Sequence, residues 1–299
     1  MKTIIMVSVI LLSVNGLLAQ IAPEERAKIE SAIPKKAFVQ PQQSRKILVV
    51  NLHVRNGEIM KGHASIPHGN LAIDLMGKKT GAFEVIVNND SSAFEWDYLQ
   101  QFDAVCFNNT AGVLFTDKVL RQNLLDFIAQ GKGFVGIHAA AATFVEWPVY
   151  HQFPAFGEML GAYEDMGHPW KPDETITLLV EEPSHPLNQG FDQRTFEIQD
   201  EVFQFRTPYS RDQLRILLTI DTEQTDMNPD RRFIPARYND RDFAMSWIRE
   251  YGKGRVFYTS LGHNPHIFWD DALLMHILAG IQYATGDLDA DATPSHLKD

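Results

Sequence analysis

Cysteine is almost absent from this sequence of 299 residues, in which Cys106 is the single example. One thiol excludes an internal disulfide, and it leaves no cysteine near the N-terminus to carry an acyl anchor. Cys106 lies in an apolar run from Ala104 to Phe107. Such a run is typical of a buried strand, so we expect an inert thiol rather than a nucleophile.

Basic residues are fewer than acidic ones, with 27 Lys and Arg against 38 Asp and Glu, which gives a formal net charge of -11. No basic cluster is available to neutralise phosphates, which argues against a nucleic-acid partner. We expect a small molecule as the partner instead.

The apolar run at the N-terminus is too short for a membrane span. It follows Lys2, extends from Ile4 to Leu18, contains four polar or small interruptions, and is followed by the small residue Ala19. A spanning helix needs about 20 consecutive apolar residues. The pattern therefore predicts a signal peptide over residues 1–19, removed to leave a soluble protein that is periplasmic or secreted, with no membrane span.

The remaining chain reads as one elaborated domain. Residues 20–44 contain three prolines and are predicted to form an N-terminal arm, residues 45–286 the domain, and residues 287–299 an acidic tail that frays. The sequence shows no internal repeat and no low-complexity segment.

Strand and helix patterns alternate through the first half of the domain. Strands are predicted at 45–54, 83–87, 102–107 and 133–138, with helices at 70–79 and 117–130, the latter capped by Thr116. This alternation predicts an α/β fold with a doubly wound, mostly parallel sheet of the flavodoxin type.

The second half adds further strands and a terminal helix. Strands are predicted at 175–180, 196–205 and 214–220, a hairpin at 243–260, and helices at 149–160 and 270–285. Asp200 and Glu201 are adjacent within a predicted strand. Extended neighbours point to opposite faces, so only one of the two carboxylates can serve a given site unless a bulge intervenes.

His138 stands at the end of the fourth predicted strand and is followed by four alanines. Ligands of α/β folds collect at the carboxyl ends of the strands. We therefore expect His138 and the backbone of Ala139 to meet a substrate, although a lone histidine is often a polar residue satisfied by its neighbours. His263 follows the last strand of the hairpin and has a comparable position.

Five motifs together resemble the ThuA-like proteins, named for trehalose utilisation. The motifs are Gly133-Phe-Val-Gly-Ile-His138, His168-Pro169, His185-Pro186-Leu187, Asp200-Glu201-Val-Phe203, and the segment Gly252 to His263. The resemblance covers roughly residues 45–286, and it implies a fold of the class I glutamine amidotransferase type. The resemblance also implies a role in carbohydrate use, but it specifies the activity less than the fold, because one fold hosts many activities.

One departure from the amidotransferases limits the chemistry. Those enzymes carry a cysteine nucleophile on the turn after this strand, whereas this sequence has His138 near that turn and its cysteine on another strand. Thiol-dependent glutamine hydrolysis is therefore not expected.

The candidate catalytic residues are His138, His168, Glu201 and His263, with imidazole and carboxylate moving protons. A surface turn at His168 and a salt bridge from Glu201 to an arginine are the structural alternatives.

The candidate substrate-binding residues are Ala139, Trp170, Asp200, Tyr258 and Trp269. Aromatic faces suit the C–H face of a sugar ring, although each of these aromatic residues could equally belong to the core.

No short HxxH spacing on a predicted helix marks a metal site. A divalent ion would have to be held by His138, His168, Glu201 and His263 from separate loops, and no other cofactor is indicated.

The sequence is compatible with three functions. The first is an enzyme acting on a sugar or keto-sugar by proton transfer, as an isomerase, lyase or hydrolase. The second is a non-catalytic saccharide-binding or scaffold protein, and the third is a divalent-metal-dependent hydrolase.

Overall fold

The computed structural model of the protein describes residues 21–146, 152–165, 170–201, 203–227 and 242–298. The strands are β1 Lys46–Val50, β2 His53–Arg55, β3 Glu58–Met60, β4 Glu84–Val87, β5 Ala104–Asn108, β6 Gly133–Ile137, β7 Tyr163–Glu164, β8 Thr175–Val180, β9 Thr195–Gln199, β10 Phe205–Arg206, β11 Arg215–Ile220, β12 Ala244–Tyr251 and β13 Gly254–Thr259. The α-helices are α1 Pro23–Ala32, α2 Ile66–Thr80, α3 Trp96–Leu99, α4 Lys118–Ala129, α5 Pro154–Leu160 and α6 Asp271–Ala284.

Nine strands form one central sheet in the order β4-β1-β5-β6-β13-β12-β11-β8-β9. The strands from β4 to β13 in this order are parallel to their neighbours, and those from β13 to β9 are antiparallel to theirs. All but β12 and β8 therefore run in the same direction. The predicted α/β fold with a mostly parallel sheet is confirmed.

The central strands β1, β5 and β6 owe their position to continuous apolar runs. Every residue of β5 and β6 is buried, and in β1 only Lys46 is partly exposed. Parallel strands covered on both faces by helices are expected to carry such runs rather than an alternating pattern.

The predicted hairpin near the end of the domain is present as β12 and β13, joined at Tyr251 and Gly254. β13 also pairs in parallel with β6, with Thr259 opposite Ile137. The loops that follow β6 and β13 consequently leave the sheet at the same edge.

The strand predicted over residues 196–205 is shorter than expected. β9 ends at Gln199, and β10 pairs separately with β7. Asp200 and Glu201 lie outside regular strand structure, so the opposite-face constraint predicted for them does not apply.

The loop after β1 contains a small hairpin formed by β2 and β3. It is attached to the sheet edge because Val54 N–H donates to the carbonyl of Ala111 at 2.8 Å. Gly112 has a φ of 75°, and a Cβ there would lie 1.7 Å from the Val54 oxygen. Only glycine allows the hairpin to approach this closely.

Two helix ends differ from the prediction. α4 is capped by Asp117, whose side chain accepts from the N–H groups of Val119 and Leu120, rather than by Thr116. The helix predicted over 149–160 begins at Pro154, and residues 147–151 lie outside the described residues.

The N-terminal arm is an ordered part of the domain. Ile29 of α1 and Ile33 are buried in the main core. Further along, Phe38 N–H donates to the side-chain oxygen of Gln282 at 2.8 Å, and the Gln282 amide donates to the carbonyl of Val39. The buried side chain of Gln282 therefore attaches the arm to α6.

The predicted acidic tail also packs against the domain. Asp287 forms an ion pair with Arg45 at 2.6 Å, and Ser295 N–H donates to the carbonyl of Leu214 at 3.0 Å. The expected fraying of this segment is therefore wrong at these two residues.

Cys106 lies on β5 with none of its surface exposed, and burial raises the pKa of its thiol to about 12. The thiol is protonated at neutral pH, as the predicted inert role requires.

No helix among the described residues is long and apolar enough to cross a membrane. The predicted signal peptide falls in residues 1–20, which lie outside the described residues.

Replacing Gln282 with Leu is expected to release the arm while keeping the packing of α6. The backbone groups of Phe38 and Val39 would lose their partners, at a cost of about 1–3 kcal/mol each if they stay buried. Hydrogen exchange should accelerate at residues 36–40, and the free energy of unfolding in urea should fall. Gln122→Leu, at an exposed position of α4, is the control. Unchanged hydrogen exchange at Phe38 and Val39 would show that Gln282 does not hold the arm.

Candidate active site

Four side chains converge at the edge of the sheet where β6 and β13 end. They are His63, His138, Glu201 and His263, and each contributes one nitrogen or oxygen atom to a group whose members all lie within 4.8 Å of one another. The centroid of the His63 ring lies 5.0 Å from the ring centroid of His138 and 5.0 Å from that of His263. The four residues come from four separate segments that the fold brings together.

His138 begins a 3-10 turn directly after β6 and has a φ of 49°. This left-handed conformation is uncommon for a residue with a side chain and often marks a functional position. The hydroxyl of Tyr258 donates to the His138 carbonyl at 2.7 Å and holds the turn in place.

The ring of His138 is oriented by its neighbours. Nδ1 lies 2.7 Å from the carbonyl oxygen of Ser260, to which it donates, and the ring stacks on Phe203 at a centroid distance of 4.5 Å. Nε2 therefore carries the lone pair. This buried atom has no hydrogen-bond partner within the described part of the chain.

The turn that carries His263 is held by the buried carboxylate of Asp200. This carboxylate accepts the backbone N–H groups of Gly262 at 2.6 Å, His263 at 3.2 Å and Asn264 at 2.7 Å. The side-chain oxygen of Asn264 lies 3.3 Å from Nδ1 of His263. These contacts turn Nε2 of His263 toward the centre.

Glu201 lies between two of the imidazoles. Its Oε2 is 3.5 Å from Nε2 of His138 and 3.6 Å from Nε2 of His263. N–H···O hydrogen bonds fall at about 2.7–3.2 Å, so both separations are longer than a direct hydrogen bond. The side chain of His263 is 25% exposed and that of Glu201 11%, so solvent reaches the centre from their side.

Burial sets the charge of the inner imidazoles. Desolvation, followed by the proximity of His138, lowers the pKa of His63 to about 2. Desolvation and then His263 lower the pKa of His138 to about 3, although its bond to Ser260 acts in the opposite direction. Both rings are neutral at physiological pH and offer lone pairs.

Burial raises the pKa of Asp200 to about 7, and the three N–H groups of the 262–264 turn partly offset that rise. A buried carboxyl that accepts three backbone donors supports the turn rather than the substrate.

The structure brings together His138, Glu201 and His263, three of the four predicted catalytic residues. The fourth, His168, lies outside the described residues. His63 was not predicted, although the loop that contains it leaves the carboxyl end of β1. The start of this loop at a strand end was a signal for the loop as a whole, without distinguishing His63 from His53 and His68.

The predicted substrate-binding residues lie mostly in the core. Tyr258 is fully buried, and Trp170 is 2% exposed, with its indole N–H donating to the carbonyl of Asp226. Neither presents a face on which a sugar could stack, so the burial contradicts this role. Ala139 is 2% exposed within the turn after His138.

Trp269 is only partly buried and lies next to the N-terminal arm. The ammonium of Lys28 is 5.2 Å from its ring centroid, and the ring of His68 is 6.0 Å away. His68 in turn bonds to Glu25 of α1 at 3.0 Å. The stacking role predicted for Trp269 stays a prediction.

The sequence model of the ThuA family, described as trehalose utilisation, matches residues 47–284. The chain belongs to the ThuA family. The match includes all four residues of the centre, so His63, His138, Glu201 and His263 lie within the ThuA region. The family description gives the chain a carbohydrate-related role.

Solved structures agree on the ThuA fold. A ThuA-like protein from Bacteroides uniformis superposes with a TM-score of 0.62 at 18% identity, covering 80% of this chain and 91% of the other. One from Parabacteroides merdae has a TM-score of 0.56 at 18% identity and covers 84% and 93%. A cytoplasmic protein from Salmonella typhimurium gives 0.53 at 13% identity, with 80% and 98% covered. At these identities the likeness shows the fold alone.

No curated protein matches the sequence significantly.

Replacing Asp200 with Ala is expected to loosen the 262–264 turn. A hydrogen bond contributes about 0.5–1.5 kcal/mol, and three are lost together, so the free energy of unfolding in urea should fall by about 2 kcal/mol or more. Asp221→Ala removes a carboxylate that also accepts backbone N–H groups but is exposed. A loss no larger than that of this control would disprove the supporting role of Asp200.

Proposed function

We propose that the chain is an enzyme of carbohydrate utilisation that acts on a sugar carrying a ketone, at the centre formed by His63, His138, Glu201 and His263. The convergence of these four side chains within 4.8 Å carries the proposal. The family description, trehalose utilisation, supports a saccharide as the substrate.

The chemistry follows from the groups present. A carboxylate removes a proton from carbon only where a neighbouring carbonyl can take up the electron pair, which is the reason for proposing a keto-sugar. Glu201 takes the proton, the C–H pair forms the double bond of an enolate, and the carbonyl π pair moves to oxygen. Where the deprotonated carbon carries a hydroxyl, that hydroxyl loses its proton and becomes the new carbonyl while the former carbonyl carbon takes a proton, which gives isomerisation. Where the next carbon carries an oxygen substituent, the enolate pair re-forms the carbonyl, the former C–H pair forms a new C=C bond, and the substituent leaves with the C–O pair, which gives elimination.

The inner imidazoles are poor candidates for the base, which leaves Glu201. His63 and His138 have pKa values lowered to about 2 and 3, and so weak a base gives little driving force for proton removal. Their neutral rings suit binding or orienting roles. His263, whose side chain is 25% exposed, borders the approach to Glu201.

Glu201→Gln is expected to lower kcat/KM on 3-keto-disaccharides about 100-fold or more, because the amide cannot accept the proton. Proton NMR in deuterated water would follow solvent deuterium entering the carbon next to the ketone. Glu197→Gln, on the exposed side of β9, is the matched control and should behave like the wild type.

Saccharide binding without deuterium exchange or turnover would contradict the enzymatic proposal and favour a binding protein. Full exchange in Glu201→Gln would remove Glu201 from the base role.

We also propose that the protein is exported and cleaved after Ala19, because the apolar run following Lys2 has the length and polarity of a signal peptide. N-terminal sequencing of the protein from its native host should then begin at Gln20. A chain that begins at Met1 or Lys2 in the cytoplasmic fraction would contradict export.

A further inference from the structure

We propose that His63, His138, Glu201 and His263 bind one divalent transition-metal ion. This deepens the proposed function, because it names the positive group that holds the ketone oxygen as negative charge develops there. The four side chains themselves offer lone pairs and one negative charge, and a bound cation supplies the charge of opposite sign.

Two of the separations between donor atoms match those of ligands that share an ion, and all four donor atoms lie within 4.8 Å of one another. With metal–nitrogen and metal–oxygen bonds of about 2.0–2.1 Å, two ligands of a tetrahedral ion lie about 3.4 Å apart. Glu201 Oε2 lies 3.5 Å from Nε2 of His138 and 3.6 Å from Nε2 of His263. A hydrogen-bonded acid–base cluster would instead bring these atoms within about 3.2 Å.

The orientation of the rings is also that of metal ligands. Imidazoles that bind metals usually donate their other N–H group to a carbonyl or carboxylate, which fixes the tautomer. His138 donates Nδ1–H to the carbonyl of Ser260 at 2.7 Å, and Nδ1 of His263 lies 3.3 Å from the side-chain oxygen of Asn264. In both residues Nε2 remains to face the centre.

The lone pair of His138 Nε2 supports the same conclusion. This atom is buried and has no hydrogen-bond partner in the ranges that the structure covers, and the same is true of Nδ1 of His63. Buried polar atoms are rarely left unsatisfied. A shared ion would satisfy the inner imidazoles together with Oε2 of Glu201, and Oε1 of the same carboxylate would keep the role of proton acceptor.

The donor set selects the class of metal. Three imidazole nitrogens and one carboxylate oxygen suit zinc, iron, cobalt or nickel, whereas magnesium and calcium prefer oxygen ligands throughout. The exposed side of the site, next to His263 and Glu201, is where a substrate oxygen would approach the ion.

The test uses the untagged full-length protein, because a polyhistidine tag would itself bind metal. After dialysis against a chelator, titration calorimetry with Zn²⁺ and Co²⁺ should give about one site per chain. Mg²⁺ should bind at least about 100-fold more weakly. Bound Co²⁺ should show the visible absorption of a site with nitrogen and oxygen ligands.

Variants assign the site to these residues. His63→Ala and His263→Ala should each weaken Zn²⁺ binding about 100-fold or more. His53→Ala and His266→Ala are matched controls, since these imidazoles are outside the four, and they should bind like the wild type. Thermal unfolding of each metal-free variant checks that it folds, which matters most for the fully buried His138.

Two results would overturn the metal site: no binding of Zn²⁺ or Co²⁺ by the folded protein, or equal losses in the control variants. The outcome separates the two proposals. Metal binding without keto-sugar turnover would support the metal site and contradict the proposed function. Turnover that survives complete metal removal would support the proposed function and contradict a role of the metal in it.

Discussion

The parallel pairing of β6 with β13 is the contact on which the candidate site depends. It places Thr259 opposite Ile137, so the segments that follow both strands leave the sheet side by side. The same pairing brings the Ser260 carbonyl within reach of His138 Nδ1, and the Tyr258 hydroxyl within reach of the His138 carbonyl. The turns that carry His138 and His263 are thus positioned by ladder hydrogen bonds rather than by flexible loops, and such rigid support is what a precise site requires.

The remaining two residues of the centre reach it by different routes. Glu201 is positioned because its neighbour Asp200 accepts three N–H groups from the turn that carries His263. These hydrogen bonds fix the segment of Glu201 and the turn of His263 relative to each other. His63 follows the β2–β3 hairpin, which lies close to the sheet because Gly112 has no Cβ. Burial around this assembly also keeps the inner rings neutral, so the packing that builds the site also determines its protonation.

Much of the fold could be predicted from local patterns. Continuous apolar runs identified β1, β5 and β6, and the turn at 251–254 identified the hairpin of β12 and β13. The end of β9 could not be predicted, because apolar residues typical of strands stand on both sides of the carboxylates, at Phe196, Ile198, Phe203 and Phe205. The interruption of the strand comes from tertiary hydrogen bonds to the 262–264 turn.

The centre was only partly predictable for a related reason. His138 and His263 stand directly at strand ends, but His63 is one of three histidines in a polar loop, and nothing local separates it from His53 and His68. The position of Trp170 and Tyr258 in the core could not be predicted, because an aromatic residue has the same chemistry there as it would have beside a sugar, and only the fold decides which applies.

The packing of the N-terminal arm sets an order of events for a chain that is exported. Ile21, two residues beyond the proposed cleavage point at Ala19, is 7% exposed and belongs to the main core. A processing protease needs extended, accessible backbone on both sides of the bond that it cuts. The folded domain leaves almost no spacer there, so removal of the leader would have to precede docking of the arm. Maturation and folding would then be sequential steps, with the protease acting on a chain whose first helix is still unpacked.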